Sequence, residues 1–97
     1  MGFPLAKIVL KGFIEVPKCD LATVVAELGD HIERTRAEPG CIVFEVEQDS
    51  SETNRFNVYE EFVDQQAFDL HQQNVRNSKW GQITGNVSRH YEVYETD

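Results

Sequence analysis

The stretch NRFNVYEEFVDQQAFDLHQQNVRNSKW, residues 54–80, predicts a β-strand that runs directly into an amphipathic helix. Side chains in a strand alternate between two faces, and from residue 56 this alternation places Glu60 among apolar residues. The helix that follows has an apolar stripe with spacings of three and four, which directs His71 toward the core. The members of this stripe are Ala67, Phe68, His71 and Val75. A carboxylate and an imidazole are therefore expected to share one cavity.

Two interpretations of the pair Glu60 and His71 are open. A buried polar side chain usually makes a structural hydrogen bond, and that interpretation suits each residue taken alone. Together, a carboxylate can fix the tautomer of an imidazole and hold a proton near neutral pH, which suits proton transfer to or from a substrate. The distance between the two side chains distinguishes these roles.

The remaining sequence predicts a complete set of short strands and helices around this stretch. Strand segments alternate apolar and polar residues, whereas helix segments repeat apolar residues at helical spacing. The predicted order is a strand at residues 5–16, a helix at 21–36, strands at 42–47 and 54–62, a helix after residue 64, a short helical piece at 79–83 and a strand at 87–95. Asp20 and Asp64 are expected to cap the first and second helices. A polar turn at residues 49–53 predicts an antiparallel hairpin.

The order strand, helix, strand, strand, helix, strand is the split βαβ arrangement of a ferredoxin-like fold in the α+β class. Both helices then cover one face of a four-stranded antiparallel sheet. The other face is apolar enough to predict a homodimer in which two such faces meet, although scattered apolar surface residues are also normal. The apolar residues expected there include Val9, Phe13, Val43, Tyr59, Val63 and Tyr94.

Composition limits the class of protein. The 97 residues, 40% hydrophobic and 27% charged, fit one domain over residues 1–97. The net charge of -8 argues against binding to nucleic acid or to anionic membranes. No apolar run reaches the length of a transmembrane span, and the start MGFPLAKIVL lacks the basic segment and cleavage site of a signal peptide, so a cytoplasmic location is expected. Cys19 and Cys41 are expected to be free thiols.

The segments EPGCIVFEV and RFNVYEEFVDQQAFDLH, followed by a last strand, resemble the antibiotic biosynthesis monooxygenase family over nearly the whole chain. Members share an EPG turn, a Tyr-Glu pair followed by an aromatic and an acidic residue, and an Ala-Phe-x-x-His sequence that opens the second helix. The matching residues here are Glu38-Pro39-Gly40, Tyr59-Glu60, Phe62-Val63-Asp64 and Ala67-Phe68 with His71. The resemblance implies a dimeric α+β barrel with a pocket between sheet and helices.

The resemblance also implies a function: oxidation of a small aromatic or quinol by molecular oxygen, without metal or flavin. An electron-rich phenolate can itself reduce oxygen, so the protein needs to supply a base, a shaped site and a dry cavity. His71 is the expected catalytic base, with Glu60 as its orienting partner. Three aromatic residues, Tyr59, Phe68 and Trp80, are further candidates for substrate binding and are expected to pack near a flat ring. Arg76 is a fourth candidate, as the holder of an anionic group.

Arg76 stands where many relatives have a second histidine, five positions after the first. A guanidinium cannot act as a base but can bind an anion. This difference leaves open an isomerase of a small phosphorylated carbonyl compound, related to autoinducer processing, in which Arg76 and Arg55 hold the phosphate. The missing histidine also leaves open a non-catalytic small-ligand-binding dimer.

Metal and haem chemistry are not expected. A haem-degrading branch of the family uses an asparagine on the first strand, and residues 10–13 contain none. His31, His71 and His90 lie on three different predicted elements and lack the spacing of metal ligands. We therefore expect no cofactor. The end of the first helix, with Glu33, Arg34, Arg36 and Glu38, is expected to be a solvated surface.

Overall fold

The computed structural model describes residues 6–96 and has the predicted ferredoxin-like α+β fold. Its elements are β1 (Lys7–Glu15), α1 (Leu21–Arg36), β2 (Cys41–Gln48), β3 (Arg55–Phe62), α2 (Gln65–Arg76), α3 (Lys79–Ile83) and β4 (Ser88–Thr96). Leu5, the predicted start of the first strand, lies outside the described residues, as does the rest of the N-terminal segment. Cys19 and Cys41 are free thiols, as expected. Within residues 6–96, no helix is long and apolar enough to cross a membrane.

The four strands form one antiparallel sheet in the order β2-β3-β1-β4, which confirms the predicted β2-β3 hairpin. Strand register places Leu10 of β1 opposite Glu60 of β3, and Glu60 opposite Phe44 of β2. This face of the sheet packs against the helices and forms most of the core. The largest apolar residues of the core include Ile8, Leu10, Ile14, Phe44, Phe56 and Phe62. Glu60 is thus surrounded by hydrocarbon, as its alternation with apolar residues predicts.

The opposite face of the sheet is more polar than the sequence suggests. Lys7 Nζ lies 3.2 Å from Glu61 Oε1, and the Tyr59 hydroxyl donates to Glu61 Oε2 at 2.6 Å. The guanidinium of Arg55 lies 4.1 Å from the ring centroid of Phe13. Charged side chains therefore cover part of the apolar surface, and the homodimer remains a prediction.

The two predicted caps differ in the structure. Asp64 accepts a hydrogen bond from the backbone N–H of Ala67 at 2.8 Å, as predicted. Asp20 occupies the N-cap position of α1, but its side chain makes no capping hydrogen bond, so that part of the prediction is wrong. The reason is the 3₁₀ turn over Lys18–Asp20, which leads directly into α1 and gives Asp20 near-helical torsions.

Replacing Asp64 with alanine is expected to lower the free energy of unfolding by about 1 kcal/mol, because the first turn of α2 loses a bonded backbone N–H. Chemical denaturation followed by circular dichroism measures the change. Asp20→Ala is the matched control and is expected to change stability by less than about 0.5 kcal/mol. Equal losses in the two variants would contradict this account of the caps.

Candidate active site

The Glu38-Pro39-Gly40 turn, which joins α1 to β2, brings its glutamate to α2. Gly40 has a φ of 91°, a conformation that L side chains rarely adopt. A Cβ at Gly40 would lie 2.6 Å from the Cβ of Ala67, so the turn packs closely on the start of α2. His71 follows Ala67 by one helical turn on the same face. The turn thereby places Glu38 beside His71.

His71 lies at the centre of a line of three side chains and is only 2% exposed. Its Nδ1 is 2.9 Å from Oε1 of Glu38, and its Nε2 is 3.8 Å from Oε1 of Glu60. The other oxygen of Glu38 accepts a hydrogen bond from Asn74 Nδ2 at 3.1 Å. Because an ionised carboxylate accepts hydrogen bonds and cannot donate them, Nδ1 carries the proton of the neutral ring. The unprotonated Nε2 therefore faces Glu60.

The environment of His71 favours its neutral form. Burial lowers the pKa of His71, and the hydrogen bond and charge of Glu38 raise it by less. The balance keeps the pKa below 6.5, so the imidazole is mostly uncharged at pH 7. A neutral ring with a lone pair on Nε2 can accept a proton from a group in front of it.

Glu60 is a buried carboxyl group without a hydrogen-bond partner for one of its oxygens. It is 5% exposed, and its Oε1 makes no hydrogen bond within residues 6–96. Burial, and secondarily the charge of Glu38, raises the pKa of Glu60 to about 8. At pH 7 the group is therefore mostly a neutral acid. The 3.8 Å separation from His71 is too long for a direct hydrogen bond, so Glu60 remains available to a ligand.

Glu60 and His71 line a cavity of about 110 Å³ between the sheet and the helices. This volume is below the about 150 Å³ of a cavity that binds benzene, so a single ring is the upper limit of size and a polycyclic ligand is too large. The apolar part of the wall consists of Leu10, Ile14, Phe44, Val46, Val58 and Val75. The site thus combines a hydrocarbon wall with a small number of polar groups, which is typical of pockets for small molecules.

Trp80 and His31 both line the same wall and stack on each other. Their rings are parallel within 4°, with centroids 4.4 Å apart, and the His31 centroid is 6.3 Å from that of His71. Burial, followed by the charges of His71 and Arg34, lowers the pKa of His31 to about 4. The cavity therefore contains a second neutral imidazole, contributed by α1. His31 follows Val24 by seven residues, so both lie on the buried face of α1. This spacing is the sequence signal that could have identified His31 as a cavity residue.

A family model described as antibiotic biosynthesis monooxygenase matches residues 8–80. The chain belongs to the antibiotic biosynthesis monooxygenase family. This finding confirms the resemblance drawn from the EPG turn, the Tyr-Glu pair and the Ala-Phe-x-x-His sequence. A comparison with curated proteins finds no significant match.

Several solved structures share the fold. One is a putative antibiotic biosynthesis monooxygenase from Nitrosomonas europaea, with a TM-score of 0.74 and 14% identity over 98% of this chain and 91% of that one. Another, also named a putative antibiotic biosynthesis monooxygenase, comes from Deinococcus radiodurans, with a TM-score of 0.72 and 21% identity over 93% and 92%. A protein from Shewanella oneidensis has a TM-score of 0.70 and 27% identity over 94% and 91%.

Three of the predicted substrate-binding residues of this family member lie away from the cavity. Tyr59 points to the opposite face of the sheet, where it bonds Glu61, because successive strand side chains alternate. Phe68 is buried against Phe62, with ring centroids 5.7 Å apart. Arg76 is exposed at the last residue of α2. Their placement does not support contact with a ligand in the cavity, whereas Trp80 does line it.

The end of α1 is the solvated surface that the sequence suggests, except at Glu38. Glu33, Arg34 and Arg36 are exposed, although the Arg36 guanidinium donates two hydrogen bonds to the Phe44 carbonyl oxygen, at 3.0 and 2.8 Å. Glu38 instead contacts His71, so the prediction is wrong for that residue. Charge spacing near a helix end shows which helical face a residue occupies, but it does not show which strand or helix the next turn approaches.

The histidines do not form a metal site. His90 lies on the opposite sheet face, stacked on Phe13 with centroids 4.6 Å apart. Within residues 6–96, no group of three or more His, Cys, Asp or Glu side chains has an arrangement suited to holding a metal ion.

Replacing Glu38 with glutamine is expected to lower the pKa of His71 further. The substitution keeps an oxygen that can accept from Nδ1, but it removes the negative charge that raises the pKa. Nuclear magnetic resonance titration of the ring, assigned with a His71→Asn variant, measures both the pKa and the tautomer. Glu33→Gln, an exposed charge change on the last turn of α1, is expected to leave both the pKa and the tautomer of His71 unchanged. An unaltered His71 titration in Glu38→Gln would show that the 2.9 Å contact has no electrostatic role.

Proposed function

We propose that this protein is a cofactor-independent monooxygenase that oxidises a single-ring hydroquinone with molecular oxygen. Membership of the antibiotic biosynthesis monooxygenase family supports the general class. The observation that carries the specific proposal is the state of His71, a buried neutral imidazole whose Nε2 faces a cavity of about 110 Å³. The neutral acid Glu60 stands next to it, 3.8 Å away.

The reaction can be written with the groups present in the cavity. A ring hydroxyl of the hydroquinone gives its proton to Nε2 of His71. The electron-rich ring anion then transfers one electron to oxygen, and the two radicals combine to form one C–O bond. Return of the proton gives a ring hydroperoxide, and loss of water breaks its O–O bond. One hydroquinone and one O₂ thus give one hydroxyquinone and one water.

The protein contributes positioning and proton transfer to this sequence. Glu38 orients His71 through Nδ1 and stabilises the imidazolium that forms when Nε2 accepts the proton. Glu60, protonated at pH 7, can donate a hydrogen bond to a substrate oxygen. The stacked rings of Trp80 and His31 pack near the substrate ring, and the apolar wall keeps water from the reactive intermediates.

The test is the fate of labelled oxygen. With ¹⁸O₂ and a single-ring hydroquinone, the proposal expects one labelled atom in the hydroxyquinone and one in water, with equal consumption of the two reactants. Mass spectrometry of the product and an oxygen electrode provide the measurements. If no single-ring hydroquinone consumes oxygen faster than it does without protein, the proposal is wrong.

The phosphorylated-carbonyl isomerase receives less support from the geometry. Its expected phosphate contacts were Arg76 and Arg55. Arg76 is exposed at the end of α2, and Arg55 lies on the opposite sheet face, 3.5 Å from Glu15. The non-catalytic alternative would use the same cavity, and it predicts hydroquinone binding without oxygen consumption.

The homodimer belongs to the same proposal. On the open face of the sheet, Tyr94 of β4 supports it, since this residue stands opposite Val9 and is 40% exposed. Surfaces of this kind commonly mark contacts between subunits. Sedimentation equilibrium distinguishes a dimer from a monomer of 11.1 kDa.

A further inference from the structure

Arg89 is a cationic group on the wall of the cavity that the proposed reaction does not use. It lies near the start of β4, and its Nη2 donates to the carbonyl oxygen and to Oγ1 of Thr84, at 3.3 and 3.2 Å. A guanidinium has five N–H donors, so the bonds to Thr84 and to the neighbouring Tyr91 hydroxyl still leave N–H groups of this solvent-exposed side chain for another acceptor. The site predicted from the sequence did not include Arg89.

Arg89, like Arg36 and Arg76, has no acidic partner within residues 6–96, but of these three it is the one that lines the cavity. The chain has 17 acidic residues and only nine lysines and arginines. Arg34 and Arg55 both pair with glutamates, at 3.3 and 3.5 Å. Within residues 6–96, no carboxylate oxygen lies within 4.0 Å of the Arg89 guanidinium. The positive charge at this wall is therefore not neutralised by the described part of the chain.

The strand register gives the separation between Arg89 and the acid–base pair. Glu60 stands opposite Leu10 on β1, and Arg89 stands opposite Ile14. Four residues along a strand and two strand spacings across the sheet amount to about 13 and 10 Å, or about 16 Å between the two Cα atoms. Strand side chains stand roughly perpendicular to the sheet, and these two share its inner face, so Arg89 and Glu60 border the same cavity at separate points of its wall.

We propose that Arg89 binds a carboxylate group of the substrate, which is then a single-ring hydroquinone carboxylic acid with its reacting hydroxyl at His71 and Glu60. This inference rests on the proposed function for the identity of the ring. The guanidinium fork matches a carboxylate in a bidentate manner, and such charge-assisted bonds are among the strongest in proteins. Because Glu60 is neutral at pH 7, it does not repel an anionic ligand.

The test measures binding without oxygen, so that turnover plays no part. Isothermal titration calorimetry at pH 7 compares 2,5-dihydroxybenzoate with 2,5-dihydroxybenzamide, which has nearly the same shape but no charge. The protein is expected to bind the carboxylate about tenfold more tightly than the amide, or better. Arg89→Gln is expected to reduce this ratio to near one. Arg76→Gln removes the same charge away from the cavity and is expected to preserve the ratio.

Two results would overturn the inference. One is equal affinity of the unaltered protein for the two ligands. The other is an Arg89→Gln variant that binds both ligands more weakly by the same factor, which would show that Arg89 acts only by holding Thr84. If Arg89→Gln does not fold, Arg89→Lys replaces it, since lysine keeps the charge but lacks the bidentate fork, and an intermediate ratio is expected. Oxygen consumption tests the proposed function separately, because neither affinity ratio depends on it.

Discussion

Replacing His71 with asparagine is expected to lower the rate of oxygen consumption with a single-ring hydroquinone by about 10²- to 10⁴-fold, the usual contribution of a positioned general base. Asparagine keeps a polar side chain of similar size but cannot accept a proton at neutral pH. Since Nε2 is the unprotonated nitrogen facing the cavity, no other atom of His71 can replace it. An oxygen electrode measures the rate, after subtraction of the uncatalysed oxidation.

His90→Asn is the matched control for this experiment. It makes the same chemical change on the opposite face of the sheet, where His90 stacks on Phe13, and it is expected to keep the rate within about twofold. Calorimetry without oxygen should show that His71→Asn still binds the hydroquinone. An unchanged rate in His71→Asn would remove His71 from the reaction.

Replacing Glu60 with glutamine is expected to stabilise the protein at pH 8 by on the order of 4 kcal/mol. Burial raises the pKa of Glu60 from 4.5 to about 8 in the folded protein. Between these values the unfolded chain has released the proton that the folded protein keeps, so stability falls as pH rises through this window. Glutamine is neutral throughout and avoids that loss.

The predicted signature is therefore a difference that grows with pH. Chemical denaturation measures the free energy of unfolding of Glu60→Gln and of the unaltered protein. The difference that arises from ionisation of Glu60 should be close to zero at pH 4.5 and reach its full size at pH 8. Glu47→Gln, at an exposed position on β2, is the control and is expected to show no such trend. A difference between Glu60→Gln and the unaltered protein that stays constant from pH 4.5 to 8 would mean that Glu60 ionises normally in the fold.

Much of the fold follows from local patterns in the chain. Alternation identified the strands, and spacings of three and four identified α1 and α2 with nearly their observed bounds. The same patterns predicted that Glu60 and His71 are buried, because burial of a side chain on a regular element depends on its face. A prediction failed at Asp20, where a 3₁₀ turn replaced the expected cap. That turn depends on the path of the chain after β1, which periodicity does not describe.

The local pattern of polar and apolar residues by itself determined the order of elements, the face of each side chain and the inward direction of the His71 ring. Only the tertiary structure decided which groups surround that ring. Glu38 lies 33 positions before His71 in the chain, and His31 and Arg89 come from other elements. Contacts across the cavity depend on how α1, α2 and β4 pack on the sheet, and no periodicity within one segment contains that information.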